Sequence, residues 1–351
     1  MTVDIAFSRE GNLGLVNLNR PQALNALSLA MIKALQQQLL QWEDDHSIHA
    51  VVVQAEGEKA FCAGGDVRWL YDEGLAKSPE QMQFFWHEYR LNHYIHQFKK
   101  PYIPLMDGIT MGGGVGISLH GSHPVATERF VFAMPETGIG FFPDIGASYL
   151  LSRCPGQIGI YLGLTGNRLR TADAQALGLV VKYTIASEDL SKVITSLLAS
   201  DLSNNAHQAV NDCLLAFARP VESAPIENLR SAIDDCFAEN SVEAIFAKLG
   251  ARGDDWSLAT LANLQQKAPL SLKVTLAQIH KAKSLTLAEC LKMDYRLVNQ
   301  FMRDSDFYEG IRALLVDKDK SPHWQPATLA LATETKVVDY FEDGHSELSF
   351  Y

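Results

Sequence analysis

The sequence predicts an α/β protein in which strands and helices alternate first and helices then follow alone. Up to about residue 190, short apolar segments rich in β-branched residues alternate with amphipathic segments of helical period. Residues 187–315 have an almost entirely helical pattern. A chain of 351 residues is long enough for two such regions. We therefore expect an α/β region at 1–190 and a mainly helical region at 191–351.

The first elements are predicted by alternation, a cap and a buried apolar run. Residues 3–8 and 13–19 alternate apolar and polar side chains on either side of a Gly-Asn pair, which predicts a hairpin. Ser28 is a suitable N-cap for the amphipathic segment that follows it. Residues 50–54 (AVVVQ) form a short continuous apolar run, which is typical of a strand buried on both faces.

The central stretch combines a strand, a glycine-rich turn and a helix. Residues 79–100 predict a long helix that contains Glu88, and residues 102–106 predict a short strand. Glycines then follow at positions 112, 113, 114 and 116, where an apolar segment resumes as a helix. Glycines at the start of a helix leave backbone N–H groups uncovered. Unpaired donors and the helix dipole together favour negative charge at such a place.

Two carboxylates, Glu136 and Asp144, lie downstream in an otherwise apolar sequence (FAMPETGIGFFPD). By local rules, Glu136 after Pro135 is suited to the first turn of a helix, and Asp144 is suited to the N-cap of a helix at 144–151. A donor-rich turn followed by two acids in apolar sequence also indicates a site where a carbonyl oxygen becomes an oxyanion. The residues by themselves leave the structural and the catalytic interpretation open.

The composition excludes several classes of function. The chain is 47% hydrophobic and 20% charged, which is typical of a globular protein rather than a disordered one. A net charge of -11 argues against non-specific nucleic-acid binding. The cysteines never form a CxxC pair and indicate reduced thiols; they are Cys62, Cys154, Cys213, Cys236 and Cys290. Without a signal-peptide pattern or an apolar run of membrane-spanning length, we expect a cytoplasmic protein with no membrane partner.

Three motifs in order carry a specific resemblance. Residues 61–66 (FCAGGD), 109–121 (ITMGGGVGISLHG) and 134–144 (MPETGIGFFPD) resemble the crotonase, or enoyl-CoA hydratase/isomerase, superfamily. Residues 162–169 (LGLTGNRL) and 306–324 (DFYEGIRALLVDKDKSPHW) resemble its 3-hydroxyisobutyryl-CoA hydrolase branch. A glycine triplet alone is weak evidence, whereas the ordered set is specific and covers nearly the whole chain.

This resemblance implies a fold and a set of site residues. The fold is a crotonase-like spiral of ββα turns, with a helical C-terminal region that covers the acyl pocket. The backbone N–H groups of Ala63 and Gly113 would form an oxyanion hole for the thioester oxygen of an acyl-CoA, and Glu136 and Asp144 would be the catalytic acids. Residues implied to contact the substrate are Glu88, Gly113, Glu136, Asp144, Gly64, Gly65 and Asp66. Local rules favour Asp66 as a helix cap.

One departure from the hydratases changes the expected reaction. Hydratases use two glutamates, and the position of the first is Gly116 here, so that only the second, Glu136, is present. Asp144 stands where hydratases commonly have glycine. The resemblance therefore implies hydrolysis of a short β-hydroxyacyl-CoA thioester, with Glu88 as an acceptor for the substrate hydroxyl. Glu136 would act as a general base or as a nucleophile, and Asp144 would orient water or exchange a proton.

Other functions and partners follow from the same family as alternatives. An enoyl-CoA hydratase, a dienoyl-CoA isomerase and a non-catalytic CoA-binding protein are the competing hypotheses. Cys62 has no histidine partner in its motif, and His120 and His123 have no apparent third ligand, so neither a thiol nucleophile nor a metal site is expected. The resemblance implies no cofactor, with CoA as part of the substrate. A homo-oligomer is compatible with the family, and the sequence does not decide it.

Overall fold

The structure, a computed structural model, describes residues 3–179, 183–220, 223–342 and 347–350. Its strands are β1 (Ile5–Glu10), β2 (Leu13–Leu18), β3 (Ala50–Ala55), β4 (Ala60–Cys62), β5 (Tyr102–Met106), β6 (Ile109–Met111), β7 (Val125–Ala126), β8 (Val131–Ala133), β9 (Leu169–Arg170) and β10 (Tyr183–Thr184). One sheet has the order β1-β2-β3-β5-β7-β10 and the other the order β4-β6-β8-β9. Among the described strands of the first sheet, only the β1–β2 hairpin is antiparallel.

Helices lie between groups of these strands and predominate after β10 in the described residues. They are α1 (Leu29–Asp44), α2 (Val67–Leu75), α3 (Glu80–Gln97), α4 (Gly113–Gly116), α5 (Ala147–Leu151), α6 (Ile158–Thr165), α7 (Thr171–Ala176), α8 (Leu190–Ala199), α9 (Ala206–Phe217), α10 (Arg230–Phe237), α11 (Val242–Arg252), α12 (Asp255–Leu264), α13 (Pro269–Ala282), α14 (Leu287–Phe301), α15 (Asp306–Ile311) and α16 (Glu334–Asp339). Within the described ranges, none of these helices has the length and apolar character needed to cross a membrane.

Two compact units make up the chain. Unit 1 comprises Met1–Asp66, His87–Phe132 and Leu169–Ala224, and unit 2 comprises Val67–Trp86, Ala133–Arg168 and Pro225–Tyr351. Each unit is assembled from three separate stretches, so the units interleave along the chain. The boundary that we predicted near residue 190 divides the chain at a single point. It does not coincide with a limit of either unit, because each unit consists of several stretches.

Unit 1 is built on the six-stranded sheet. Ser28 caps α1 as predicted, because its side chain accepts a hydrogen bond of 3.2 Å from the amide of Met31. Alternate residues of the strands point to one face of the sheet, where α8 and α9 cover them. This core includes Leu13, Leu15, Ala50, Val52, Ile103, Leu105, Val193, Leu197, Val210 and Leu214. The buried parallel strands explain why the sequence of β3 is apolar without alternation.

Unit 2 is mainly helical and has an aromatic centre. Phe141 contacts Phe142, Phe301 and Phe307, with ring centroids 4.6, 5.6 and 5.6 Å apart. Phe301 belongs to α14 and Phe307 to α15, so these helices pack on the segment that holds Glu136 and Asp144. Packed aromatic side chains bury a large apolar area in a defined geometry, which gives this segment a rigid support.

Candidate active site

Within unit 1, the segment of residues 63–66 is fixed by main-chain hydrogen bonds to residues 24–27. The amide of Leu27 donates to Gly64 O at 2.8 Å, and the amide of Asp66 donates to Leu27 O at 2.9 Å. Arg20 reinforces this arrangement through an ion pair of 3.0 Å with Asp66. We call residues 63–66 and 112–116 together the donor region. Asp66 immediately precedes Val67, the first residue of α2.

The donor region presents a different pair of amides from the pair that the sequence predicted. The amide of Ala63 donates to Leu24 O at 3.0 Å and is therefore already used inside the fold. In the part of the chain that the structure describes, no acceptor is found for the amides of Gly65 and Gly113. A Cβ built on Gly113 would lie 3.3 Å from Gly65 N, so the two residues are neighbours. Of the two amides that the sequence predicts as oxyanion donors, that of Gly113 is available and that of Ala63 is already bonded, while the amide of Gly65 lies close to Gly113.

Close approach of backbone and side chains explains why the glycine run contains no larger residue. A Cβ on Gly113 would meet Glu88 Oε1 in hard contact and Leu27 Cδ1 at 3.2 Å. A Cβ on Gly114 would meet the carbonyl oxygen of Cys62 in the same way. Glu88 is 2% exposed. Its carboxylate is thus held beside Gly113, where the sequence placed a contact with the substrate.

Position 116 has no room for a second glutamate. A Cβ on Gly116 would lie 2.7 Å from Nδ2 of Asn92, a fully buried residue of α3. The volume that a side chain at position 116 would need is therefore filled by Asn92. Sequence reasoning identified the missing glutamate and gave no indication of Asn92, because a helix residue 24 positions earlier carries no motif.

Cys62 has the properties of a buried structural thiol. Burial raises its pKa to about 12, and its Sγ lies 3.6 Å from Gly64 O. A thiol with such a pKa supplies almost no thiolate at neutral pH. Although Cys62 lies next to the donor region, we therefore do not expect it to act as a nucleophile.

Within unit 2, Glu136 begins a short 3-10 turn, Glu136–Ile139, that is fixed on three sides. The amide of Phe141 donates to Glu136 O at 3.0 Å and closes the turn. Thr137 donates through Oγ1 to Leu164 O at 3.0 Å, and the amide of Ala268 donates to Thr137 O at 3.2 Å. We call residues 135–146 the acid region. Its first carboxylate is placed by contacts from α6 and from the start of α13.

The helix α15 closes on the same turn through two glycines. A Cβ on Gly310 would collide with the carbonyl oxygen of Ile139, and a Cβ on Gly140 would collide with that of Asp306. Gly140 also has a positive φ of 70°, a conformation that glycine adopts without strain. The C-terminal motif at 306–324 therefore includes residues of α15 that pack against the turn of Glu136. The sequence alone did not reveal this role.

The two carboxylates of the acid region influence each other electrostatically. Glu136 is 6% exposed, and its pKa is raised well above the usual range, first by burial and then by the negative charge of Asp144. Asp144 is also 6% exposed. A buried carboxylate with a raised pKa exchanges protons more readily near neutral pH than an exposed one does, which suits acid–base chemistry.

Asp144 is not the helix N-cap that local rules predicted. The helix α5 begins only at Ala147, and Gly146 is its N-cap. Ile145 and Gly146 have left-handed conformations, with φ of 56° and 73°, and so they end any helical path from Asp144. The carboxylate therefore stands on a turn before the helix, which excludes the N-cap role for this residue.

A family model described as Enoyl-CoA hydratase/isomerase matches residues 13–341. The chain belongs to this family. Within the enoyl-CoA hydratase/isomerase family, it is similar to curated 3-hydroxyisobutyryl-CoA hydrolases over almost its whole length. The mitochondrial protein of Xenopus tropicalis is 42% identical over 97% of this chain and 89% of its own length. The mitochondrial protein of Homo sapiens is 40% identical over 99% of this chain and 91% of its own length.

Solved structures of the family confirm the predicted fold. A carnitinyl-CoA dehydratase from Mycobacterium thermoresistibile superposes with a TM-score of 0.93 at 37% identity, over 99% of both chains. An enoyl-CoA hydratase from Rhodobacter sphaeroides 2.4.1 superposes with a TM-score of 0.89 at 34% identity, over 99% of this chain and 100% of its own. The fold is thus shared by proteins that are named for different reactions, and the choice among reactions rests on site residues.

Proposed function

We propose that this chain hydrolyses a short β-hydroxyacyl-CoA thioester, with 3-hydroxyisobutyryl-CoA as its principal substrate. One observation carries the proposal: the buried pair Glu136 and Asp144 is present, while Asn92 fills the space of a second glutamate at position 116. Addition of water to a double bond by two glutamates is therefore disfavoured in this chain. The similarity to curated hydrolases over nearly the full length supports the same choice.

The donor region stabilises the charge that develops on the thioester oxygen. The amides of Gly65 and Gly113 are the donors, and both belong to backbone that is fixed by its neighbours. Donors that are already oriented need no reorganisation when the oxyanion forms, and each one typically lowers the barrier by about 3 to 4 kcal/mol.

Glu136 acts as the nucleophile in its ionised form. Its carboxylate oxygen attacks the thioester carbon, the C–S bond breaks, and CoA leaves as a thiolate that takes up a proton. Water then cleaves the resulting mixed anhydride, releases the hydroxy acid and restores the carboxylate. Asp144 orients this water and exchanges protons with it. Because the pKa of Glu136 is raised, activity falls as the pH decreases through that value.

Glu88 gives the site its preference for a hydroxylated acyl chain. A buried carboxylate that accepts a hydrogen bond from the β-hydroxyl loses that partner when the hydroxyl is absent. Leaving such a group unsatisfied discriminates strongly against the deoxy substrate. We expect isobutyryl-CoA to react much more slowly than 3-hydroxyisobutyryl-CoA.

We further propose a setting for the reaction. A 3-hydroxyisobutyryl-CoA substrate places it in valine breakdown, and the free, buried cysteines suit a reducing compartment such as the cytoplasm. The word mitochondrial in the relatives' names describes those proteins. That the enzyme needs no cofactor beyond the CoA of its substrate stays a prediction, and a homo-oligomer stays compatible with the family. Cell fractionation and light scattering test the compartment and the oligomer.

The decisive experiment measures free-thiol release from 3-hydroxyisobutyryl-CoA, 3-hydroxypropionyl-CoA, isobutyryl-CoA and crotonyl-CoA. Wild-type enzyme is expected to release thiol from the two hydroxyacyl substrates. Glu136→Gln should lower this rate by about a thousandfold or more, because an amide cannot act as the nucleophile. Glu10→Gln, which neutralises an exposed glutamate of β1, is the matched control and should leave the rate unchanged.

Other outcomes of this experiment identify the competing functions. Loss of the enoyl absorbance of crotonyl-CoA without thiol release would identify a hydratase. When a dienoyl-CoA is added as a fifth substrate, a shift in its absorbance would identify an isomerase. CoA-ester binding without any turnover would identify a non-catalytic binding protein.

A further inference from the structure

A second buried acid, Asp294, lies beneath the turn that carries Asp144. Asp294 belongs to α14, is fully buried, and has no part in the chemistry described above. Its Oδ2 accepts a hydrogen bond of 2.7 Å from the amide of Gly146, and its Oδ1 accepts one of 2.8 Å from Nε2 of Gln278. The side chain is therefore attached to the acid region on one side and to α13 on the other.

Gln278 attaches the other end of the same turn. Its Nε2 also donates to the carbonyl oxygen of Pro143, at 3.0 Å. Gln278 is itself fully buried. The residue before Asp144 and the second residue after it are thus both bound to a single pair of side chains. The hydrogen bonds span 135 and 148 residues of sequence, so they depend on the packing of α13 and α14.

The turn between these two attachments has a strained backbone. Ile145 is β-branched, is 1% exposed, and has a φ of 56°. Such a side chain rarely adopts the left-handed conformation, because its Cβ substituents crowd the backbone. Strained backbone persists only where the surroundings hold it. The hydrogen bonds to Pro143 and Gly146 are polar contacts that hold this turn from either side of Ile145.

We propose that Asp294 and Gln278 are positioning residues that hold the strained turn and thereby direct the carboxylate of Asp144. The negative charge of Asp144 contributes to raising the pKa of Asp294, after burial, which is consistent with the closeness of the two groups. The proposal rests on the function proposed for Asp144, and it adds residues that no motif indicates. Misplacement of a catalytic group by about 1 Å costs about a hundredfold in rate.

The test compares Asp294→Ala with Asp294→Asn. Alanine removes the acceptors for both Gly146 and Gln278, whereas asparagine keeps one oxygen that can accept from the amide of Gly146 and loses the acceptor for Gln278. With 3-hydroxyisobutyryl-CoA, we expect Asp294→Ala to lower kcat at least about tenfold with little change in KM, and Asp294→Asn to recover part of kcat. Hydrogen exchange of the peptide containing Gly146 should be faster in Asp294→Ala and close to wild type in Asp294→Asn.

Val298→Ala is the matched control for loss of stability. Val298 is fully buried on α14, one turn after Asp294, and does not touch the turn through a hydrogen bond. A Val298→Ala protein with the same loss of Tm and the same loss of kcat as Asp294→Ala would overturn the proposal, as would normal kcat in Asp294→Ala. If wild type released no thiol, the proposed function would fail, while exchange at Gly146 would still decide whether Asp294 holds the turn.

Discussion

The donor region and the acid region obtain their chemistry in opposite ways. In the donor region the proposed catalytic groups are backbone amides, and side chains are excluded: a Cβ at Gly113 would meet Glu88, and one at Gly116 would meet Asn92. In the acid region the proposed catalytic groups are the side chains of Glu136 and Asp144, and the backbone supports them. Glycine sets the geometry in the first region, and buried packing sets it in the second.

The two regions also differ in the sequence distance over which they are organised. Residues 63–66 rest on residues 24–27, about forty positions away, within one unit. The acid region depends on Gln278, Asp294 and Gly310, which follow it by more than 130 positions. Substitutions within the donor region are therefore expected to disturb its geometry locally. The geometry of the acid region is expected to change also with substitutions that are remote in sequence.

Gly113→Ala should give the largest effect among the changes that test this comparison. The added Cβ would displace Glu88 or the amide of Gly65, and one oxyanion donor would lose its alignment. We expect kcat/KM for 3-hydroxyisobutyryl-CoA to fall by about a hundredfold to a thousandfold. Steady-state thiol release and thermal unfolding of the same preparation are the measurements. If Gly113→Ala lowered Tm strongly and lost activity only in proportion to the unfolded fraction, the effect would be one on stability and not on the oxyanion donors.

The donor region shows how far the sequence alone could lead. The sequence alone revealed the glycine run, the FCAGGD motif and the absence of a glutamate at position 116. Glycine is informative because it is required wherever the backbone closely approaches another group. The proposed change of donor from Ala63 to Gly65 was out of reach of the sequence, because motif position does not reveal which amide is already bonded. That depends on Leu24, a residue outside the motif.

Gly310→Ala should show that the acid region depends on a distant helix. A Cβ at Gly310 would collide with the carbonyl oxygen of Ile139 at the end of the Glu136 turn. Since both partners are backbone-defined, the strain costs about 3 kcal/mol of the free energy of unfolding and lowers kcat as well. Gly250→Ala in α11 is the matched control, because its Cβ would have no neighbour closer than 3.8 Å.

Urea unfolding followed by circular dichroism measures both glycine variants. Gly250→Ala is expected to stabilise the protein slightly, by about 0.5 to 1 kcal/mol, through helix propensity. Equal stability changes in the two variants would show that the Ile139 contact has no special role. A Gly310→Ala enzyme with normal kcat would show that α15 does not support the Glu136 turn.

The acid region marks the limit of reasoning from local sequence. Glu136 and Asp144 were identified from their motif, whereas the N-cap predicted for Asp144 was wrong. Local rules could not foresee a left-handed Ile145, because the hydrogen bonds that hold it come from α13 and α14. Buried polar residues such as Asp294 have no periodic signature. Such residues can be recognised only from the folded structure, which shows that their side chains are buried and which groups they bond.

The smallest expected effect concerns Asp306, the acid of α15 whose carbonyl oxygen faces Gly140. Burial raises its pKa to about 6 in the folded protein, from an ordinary value of 3.8. The folded state therefore binds the proton more tightly than the unfolded state does. This contribution to stability is fully present below pH 3.8 and is lost as the pH rises through about 6.

Asp306→Asn isolates this contribution, because the Asn oxygen can still accept the hydrogen bond that the amide of Gln325 donates at 2.7 Å. Relative to the variant, wild type should lose about 2 kcal/mol of unfolding free energy between pH 4 and pH 7. Asp235→Asn, at an exposed site of α10, should show no such difference. Urea titrations at a series of pH values measure the difference. A pH-independent gap between wild type and Asp306→Asn would mean that α15 supports the acid region by packing alone, without a proton-linked term.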